Sequence, residues 1–255
     1  MNQRMSSCRI LVTSDIDNTW VRKDRTLMDK TARLTEMVER ANIPLILVTG
    51  IHFWARDGTS VSIEERIREG TIPTVDGFGS DVGTRMWWKN GNDRYIEDSH
   101  YQQTLVSERY DRRAIVNGLK KIITGEENLW GLEFQRPAEE EEFLAGMGTD
   151  EPYKVSGYFW AESGEEVEGL KNFVEGRFPG LEIVTAGELD YNETHPKETR
   201  KKYCLDILPM EGKLRTVKYL VEKMETDWLI MAGDSGNDLL MLLGDSGAKG
   251  QLSIL

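Results

Sequence analysis

Asp15-Ile16-Asp17-Asn18-Thr19, Thr49-Gly50, Lys213 and Gly233-Asp234-Ser235-Gly236-Asn237-Asp238 are the segments whose residue types can do chemistry together. Clustered carboxylates repel one another and call for a hard cation. An oxygen-rich set with few His and Cys suits magnesium. A lysine and a hydroxyl beside such an ion suit a phosphoryl group, because ammonium and metal offset the charge on its oxygens while hydroxyl and backbone N–H groups donate to them. A carboxylate can attack phosphorus and carry it as an aspartyl-phosphate. A second carboxylate two residues on can protonate the leaving oxygen and later deprotonate water.

Such distant residues meet only if the fold gathers them. Arg9-Ile10-Leu11-Val12-Thr13 leads into Asp15, Pro44-Leu45-Ile46-Leu47-Val48 into Thr49, and Trp228-Leu229-Ile230-Met231-Ala232 into Asp234. Short apolar runs that end in small or polar residues read as buried parallel strands. Ligands of open α/β sheets bind beyond the carboxyl ends of the strands. Leu34, Met37, Val38 and Ala41 have helical spacing within Asp29 to Asn42. A further helix around Ile63 to Glu69 leads to a predicted third strand at Thr71-Ile72-Pro73-Thr74-Val75. This is a βαβαβ start, hence a parallel sheet with right-handed crossovers.

The pattern then changes. Arg85 to Lys89 and Arg94 to Glu97 flank Asn90-Gly91-Asn92-Asp93, a hairpin signal. The sequence predicts a long helix from Tyr101 to Ile123 and strands at Leu132 to Gln135, Lys154 to Trp160, Leu181 to Thr185 and Lys202 to Leu208. A helix is expected over Glu165 to Arg177, and the acidic run Glu139 to Glu142 reads as a solvated loop. Helices at Lys213 to Met224 and Asn237 to Leu243 then flank the strand that ends at Ala232.

Composition narrows the classes. A net charge of −12 over 255 residues disfavours nucleic acid and anionic membranes, which need basic patches. A small anionic substrate is still compatible, since metal and Lys213 set the local field. Cys8 and Cys204 form no Cys-x-x-Cys, and the start lacks the apolar core of a secretory leader, so a reducing cytoplasm is the expected compartment. No stretch approaches the roughly 20 apolar residues of a membrane span. His52, His100 and His195 show no metal-ligand spacing, which argues against zinc and against a Ser-His-Asp triad.

The ordered set of motifs resembles the haloacid dehalogenase-like hydrolase superfamily. Ser80-Asp81-Val82-Gly83-Thr84, Lys154-Val155-Ser156-Gly157-Tyr158 and Leu205-Asp206-Ile207-Leu208-Pro209 make it most similar to the sucrose-phosphate phosphatase branch. The resemblance implies an α/β fold: a Rossmann-like parallel-sheet core, residues 1–84 and 209–255, with an inserted α+β cap, residues 85–208, that closes on the substrate. It implies that Asp15 is the nucleophile, Asp17 the general acid/base and Lys213 the cation that pins the nucleophile. Thr49, Gly50 and Asn237 would bind phosphate. Magnesium would be held by Asp15, the Asp17 backbone carbonyl and Asp234, with Asp238 orienting Lys213 or a metal-bound water. In the cap, Lys154, Ser156 and Tyr158 alternate and so share one strand face, a row of ammonium, hydroxyl and phenol suited to a polyol. Asp206 would bind a sugar hydroxyl or simply end a strand. Of Trp87 and Trp88, at most one can face a sugar while the other packs in a core.

The implied activity is a magnesium-dependent phosphatase acting on a phosphorylated sugar, sucrose 6-phosphate or a related glycosyl phosphate. The alternatives are a phosphomutase of similar architecture and a non-catalytic sugar-phosphate-binding protein. Two departures stand out. Ile51 and His52 follow Thr49-Gly50 where the branch usually has Arg. Gln251 to Leu255 reads as a strand after which the resemblance implies a further turn and helix, so a longer version is expected to be more stable.

Overall fold

The computed structural model describes residues 8–22, 26–54, 62–91, 94–105, 110–123, 152–187, 199–209, 211–234 and 238–254. In chain order the elements are β1 (Ile10–Ser14), α1 (Asp29–Arg40), β2 (Leu45–Val48), α2 (Ile63–Arg68), β3 (Gly77–Ser80), β4 (Arg85–Lys89), β5 (Tyr95–Glu97) and α3 (Ser99–Leu105). They continue as α4 (Arg112–Ile123), β6 (Val155–Ala161), α5 (Gly164–Arg177), β7 (Leu181–Gly187), β8 (Lys201–Pro209), α6 (Gly212–Lys223), β9 (Trp228–Ala232), α7 (Leu239–Leu243) and β10 (Gly250–Ile254). Contacts divide the chain into two units, Met1–Thr104 with Glu211–Leu255, and Leu105–Met210.

The first unit is built on a sheet of seven strands among the described residues, in the order β10-β9-β1-β2-β3-β4-β5. The first five run parallel, as the βαβ reading requires. Leu11, Leu45, Ile46, Leu47, Val48 and Leu229 are at most 2% exposed, which explains why these strands read as continuous apolar runs. Ser14 is level with both Leu47 and Ala232, so β1, β2 and β9 reach the same edge of the sheet almost together. A ladder bond from Asp15 N–H to the Ala232 carbonyl carries that alignment one residue further.

Three expectations are corrected here. The third strand is Gly77–Ser80, not Thr71 to Val75. Its glycines hid it, yet they are required: a Cβ on Gly77 would lie 2.6 Å from the Trp87 carbonyl oxygen, and one on Gly79 would lie 2.9 Å from Thr216 Cγ2. The predicted helix from Tyr101 to Ile123 is two helices, α3 and α4. The inserted section begins after Thr104 rather than at Arg85, and ends at Met210 rather than at residue 208. The hairpin β4–β5 extends the core sheet antiparallel to β3. Its Trp87 stacks on Phe53 with ring centroids 4.3 Å apart, beside Phe78 and Tyr95. That apolar anchor ties the hairpin to the core sheet. Trp88 lies on the other side of the strand and donates its indole N–H to Asp98 at 2.7 Å.

The second unit carries a three-stranded antiparallel sheet, β6-β8-β7. Odd-numbered residues Val155, Phe159, Leu205, Ile207 and Ile183 form one buried cluster with Ile115 and Leu119 of α4 and Leu170 and Val174 of α5. Even-numbered residues therefore share the opposite face, with Ser156 beside Asp206 and Tyr158 beside Cys204. The expected strand at Leu132 to Gln135, the acidic run Glu139 to Glu142 and His195 lie outside the described residues. Among the described residues no helix is long and apolar enough to cross a membrane.

Candidate active site

The aligned strand ends put Asp15, Thr49 and Asp234 on one edge of the core. Asp15 follows β1 directly and is 6% exposed. Lys213, in the first turn of α6, is 3% exposed and donates from Nζ to Asp15 Oδ1 at 2.6 Å and to Asp238 Oδ1 at 2.6 Å. Asp238 is fully buried, and its other oxygen accepts the Asp234 N–H at 3.1 Å. One ammonium thus joins the residue after β1, 198 positions before the lysine, to a residue at the start of α7, 25 positions after it.

Backbone shape explains two glycines in these motifs. A Cβ on Gly233 would lie 2.6 Å from Asp238 Cβ and 2.8 Å from its Oδ2, so only glycine lets that carboxylate fold back over the turn. Gly83 has φ +82° and presses on the first turn of α6, where a Cβ would meet the Gly212 carbonyl at 2.8 Å and Lys213 Cα at 2.9 Å. Gly50 differs. A Cβ there would find only an ordinary contact, 3.8 Å from Val82 Cγ2, so packing does not demand glycine. The open backbone at Gly50 is what close approach by a ligand would need.

Thr49 is 1% exposed and is held from both sides. Its N–H donates to the Gly79 carbonyl at 2.8 Å, and its carbonyl accepts Val82 N–H at 2.9 Å. The turn that supplies Val82 is strained, since Asp81 (φ 57°) and β-branched Val82 (φ 60°) are both left-handed. Asp81 is fully buried; its carboxylate accepts the Ser80 hydroxyl at 2.7 Å and meets His52 Nδ1. His52, which has no metal-ligand spacing in the sequence, therefore braces the loop that carries Thr49.

Electrostatics follow from burial. Burial pushes the Asp15 carboxyl up to about 6; Lys213 pulls against that shift, and Asp238 adds to it. Burial also works against the Lys213 charge, but Asp15 and Asp238 outweigh it and raise its pKa. Burial raises Asp234 as well, against a hydrogen bond with Asn18. Asp15, Asp234 and Asp238 bring one oxygen each within 4.8 Å of one another, a set able to hold a metal ion. Three carboxylates against one ammonium leave negative charge to be neutralised, and the donors are hard oxygens. That donor set fits magnesium.

Asp17 is two residues past Asp15, and its side chain is half-exposed. Its Oδ1 accepts from Arg66 Nη1 at 2.7 Å. Sequence reasoning missed Arg66, although one signal was present: it lies three residues after Ile63, on the apolar side of α2, where a charged residue is unusual. Asn237 lies outside the described residues.

In the second unit, Lys154 precedes β6 and places Nζ 3.4 Å from Asp206 Oδ1. Ser156 donates to the same oxygen at 2.5 Å. Tyr158 lies under the Lys202 ammonium, 4.3 Å from the ring centroid. Lys154 and Ser156 thus meet at Asp206, and Tyr158 of the same strand face is covered by Lys202. The signal for Lys202 was the same alternation, read from Asp206 back along β8.

The profile of the sucrose-6F-phosphate phosphohydrolase family matches residues 8–248. The chain belongs to that family. Sucrose-phosphatase 1 of Nicotiana tabacum is 26% identical over 249 residues, covering 93% of this chain and 48% of the relative. Sucrose-phosphatase 2 of the same plant gives the same identity and coverage. The chain thus spans about half the length of the curated relatives it matches. Among solved structures, the sucrose-phosphatase of Synechocystis in complex with sucrose and phosphate has a TM-score of 0.61 at 22% identity, covering 96% of this chain and 82% of that one. A haloalkanoate-superfamily phosphatase from Bacteroides thetaiotaomicron has a TM-score of 0.59 at 13% identity, covering 99% and 92%. At those identities the likeness bears on the fold, which is that of the haloacid dehalogenase-like hydrolases.

Proposed function

We propose that this member of the family is a phosphatase of a phosphorylated sugar, sucrose 6-phosphate or a related glycosyl phosphate, and that it works through an aspartyl-phosphate on Asp15. The observation that carries the reading is the Lys213 ammonium bridging buried Asp15 and Asp238 at the shared edge of β1, β2 and β9. It fixes one oxygen of Asp15 and leaves Oδ2 to attack. In the first half-reaction Oδ2 bonds to phosphorus, the bond to the sugar oxygen breaks, and Asp17 gives that oxygen a proton. In the second, Asp17 takes a proton from water, the water oxygen bonds to phosphorus, and Asp15 leaves as carboxylate with inorganic phosphate. The Thr49 hydroxyl, the open backbone at Gly50 and Asn237 would hold the phosphoryl oxygens.

Asp15, the Asp17 carbonyl and Asp234 would hold magnesium, which supplies positive charge to the phosphoryl oxygens and the nucleophile. Asp238 acts through Lys213 and the Asp234 N–H. Residues 105–210 would act as the substrate-specificity unit, with Lys154, Ser156, Tyr158 and Asp206 as sugar contacts; a row of charge, hydroxyl and aromatic ring on one strand face supports that role. The net charge of −12 disfavours nucleic acid and is compatible with a small anionic substrate where metal and Lys213 set the local field, and the cytoplasm is the compartment we propose.

The test is phosphate release from a panel of sugar monophosphates, with and without magnesium, by wild type and Asp15→Asn. Magnesium-dependent release that vanishes in Asp15→Asn is the expected result. Transfer of the group back to another sugar hydroxyl would indicate a mutase. Binding without turnover would indicate a non-catalytic protein.

A further inference from the structure

The loop after β2 also fixes a helix. The carbonyls of His52 and Phe53 accept the N–H groups of Ile63 and Glu64, the first residues of α2. Ser62 and Glu65 close a reciprocal capping box at the same point. At the far end, the Arg66 carbonyl accepts both the Thr71 N–H, at 2.9 Å, and the Thr71 hydroxyl, at 3.1 Å. Arg66 therefore has its main chain anchored at both ends of α2.

Its side chain is 8% exposed. Nη1 donates to Asp17 Oδ1 at 2.7 Å, while Nε is buried and has no partner among the described residues. Buried guanidinium groups normally have their donors satisfied by the protein. This one leaves a donor unpaired and still directs Nη1 to the half-exposed carboxylate of Asp17. A charge-assisted bond from a rigid, planar donor fixes the orientation of its acceptor. Because Arg66 takes Oδ1, the oxygen left to exchange a proton is Oδ2.

We propose that Arg66 is the positioning residue for Asp17. It holds Oδ1 and presents Oδ2 first to the sugar oxygen and then to water. The inference rests on the reading of Asp17 as the acid/base given above. Oδ2 gives its proton to the bridging oxygen as the bond from that oxygen to phosphorus breaks and Asp15 bonds to phosphorus. It takes a proton back from the water whose oxygen displaces Asp15. Arg66 keeps its own protons throughout.

A leaving group that needs no proton needs no aligned Asp17. Arg66 should therefore matter in proportion to leaving-group basicity, which a merely structural residue would not do. The test uses the full chain with magnesium and compares wild type, Arg66→Met and Arg66→Lys. The substrates are a sugar monophosphate that the wild type hydrolyses and p-nitrophenyl phosphate. The readout is the first half-reaction, measured as alcohol or phenol release within one turnover, on protein shown to be folded by its urea midpoint.

Arg66→Met should slow release of the sugar about tenfold or more beyond any loss with p-nitrophenyl phosphate, and Arg66→Lys should recover part of the difference. Equal losses with both esters overturn the proposal. If Arg66→Met does not fold, Arg66→Lys is compared in the wild-type and Asp17→Asn backgrounds. The sugar-selective loss should disappear when Asp17 is already Asn, and a loss that persists unchanged overturns the proposal. A wild type silent on both esters overturns the phosphatase reading, and this inference with it.

Discussion

The two units treat charge in opposite ways. In the core, the key ions sit at strand and helix ends: Asp15 just past β1, Asp238 at the start of α7, and Lys213 in the first turn of α6. Their geometry depends on backbone fit, with Gly233 and Gly83 making the room. In residues 105–210, the Lys154–Ser156–Asp206 group lies on the face of an antiparallel sheet, where position depends only on strand register and alternation. A site built on strand ends tolerates few substitutions. A site built on a sheet face can change residue by residue without disturbing the opposite, apolar face. The first arrangement suits invariant chemistry, and the second suits specificity.

The sharpest break in that comparison is Lys213→Met. It leaves Asp15 and Asp238 buried without their shared cation, so a loss of about 3–5 kcal/mol in the urea unfolding free energy is expected. Turnover should fall below detection for every substrate. Gly233→Ala comes next. Its Cβ overlaps Asp238, so turnover should drop while chemical unfolding shows a loss of about 1–3 kcal/mol. In the other unit, Asp206→Ala removes the acceptor shared by Lys154 and Ser156. A raised KM and an altered ranking of sugar phosphates are expected, with turnover at saturation changed less than in either core variant. Uniform loss of kcat across all sugars would blur the distinction between the units.

The smallest expected effect concerns fold rather than chemistry. Burial would raise Asp98, but hydrogen bonds from Lys223, Trp88 and Tyr219 outweigh it and hold its carboxyl well below the usual carboxylate range. A depressed folded pKa contributes stability above the unfolded value, about 3.9, and that stability is lost as pH falls through the folded value. Asp98→Asn should therefore cost about 2 kcal/mol at pH 7. The gap to wild type should shrink as pH falls below about 4. A gap independent of pH, measured by urea unfolding, would show that the ionised carboxylate contributes nothing.

Legibility in the sequence followed the same division. That Asp15, Lys213, Asp234 and Asp238 come together could be read, because the buried parallel strands that lead to them announce themselves as apolar runs. β3 could not be read, because close contact with Trp87 and Thr216 made it a strand of glycines, which otherwise signal turns. The hairpin β4–β5 was legible as a hairpin, but its place in the core sheet depends on the Trp87–Phe53 stack, a contact between distant segments. Arg66 was missed for a related reason. A lone arginine on a short helix carries no motif, and its meaning comes from Asp17, 49 residues away in sequence.

The central claim is that Asp15 carries the phosphoryl group. The most direct measurement mixes Asp17→Asn protein with magnesium and p-nitrophenyl phosphate, whose leaving group needs no proton, and quenches in acid within one turnover. The peptide that contains Asp15 is then weighed. A phosphoryl group on Asp15, removable by hydroxylamine, is the predicted result. Phenol release with Asp15 unmodified, or a phosphoryl group on another residue, would contradict it.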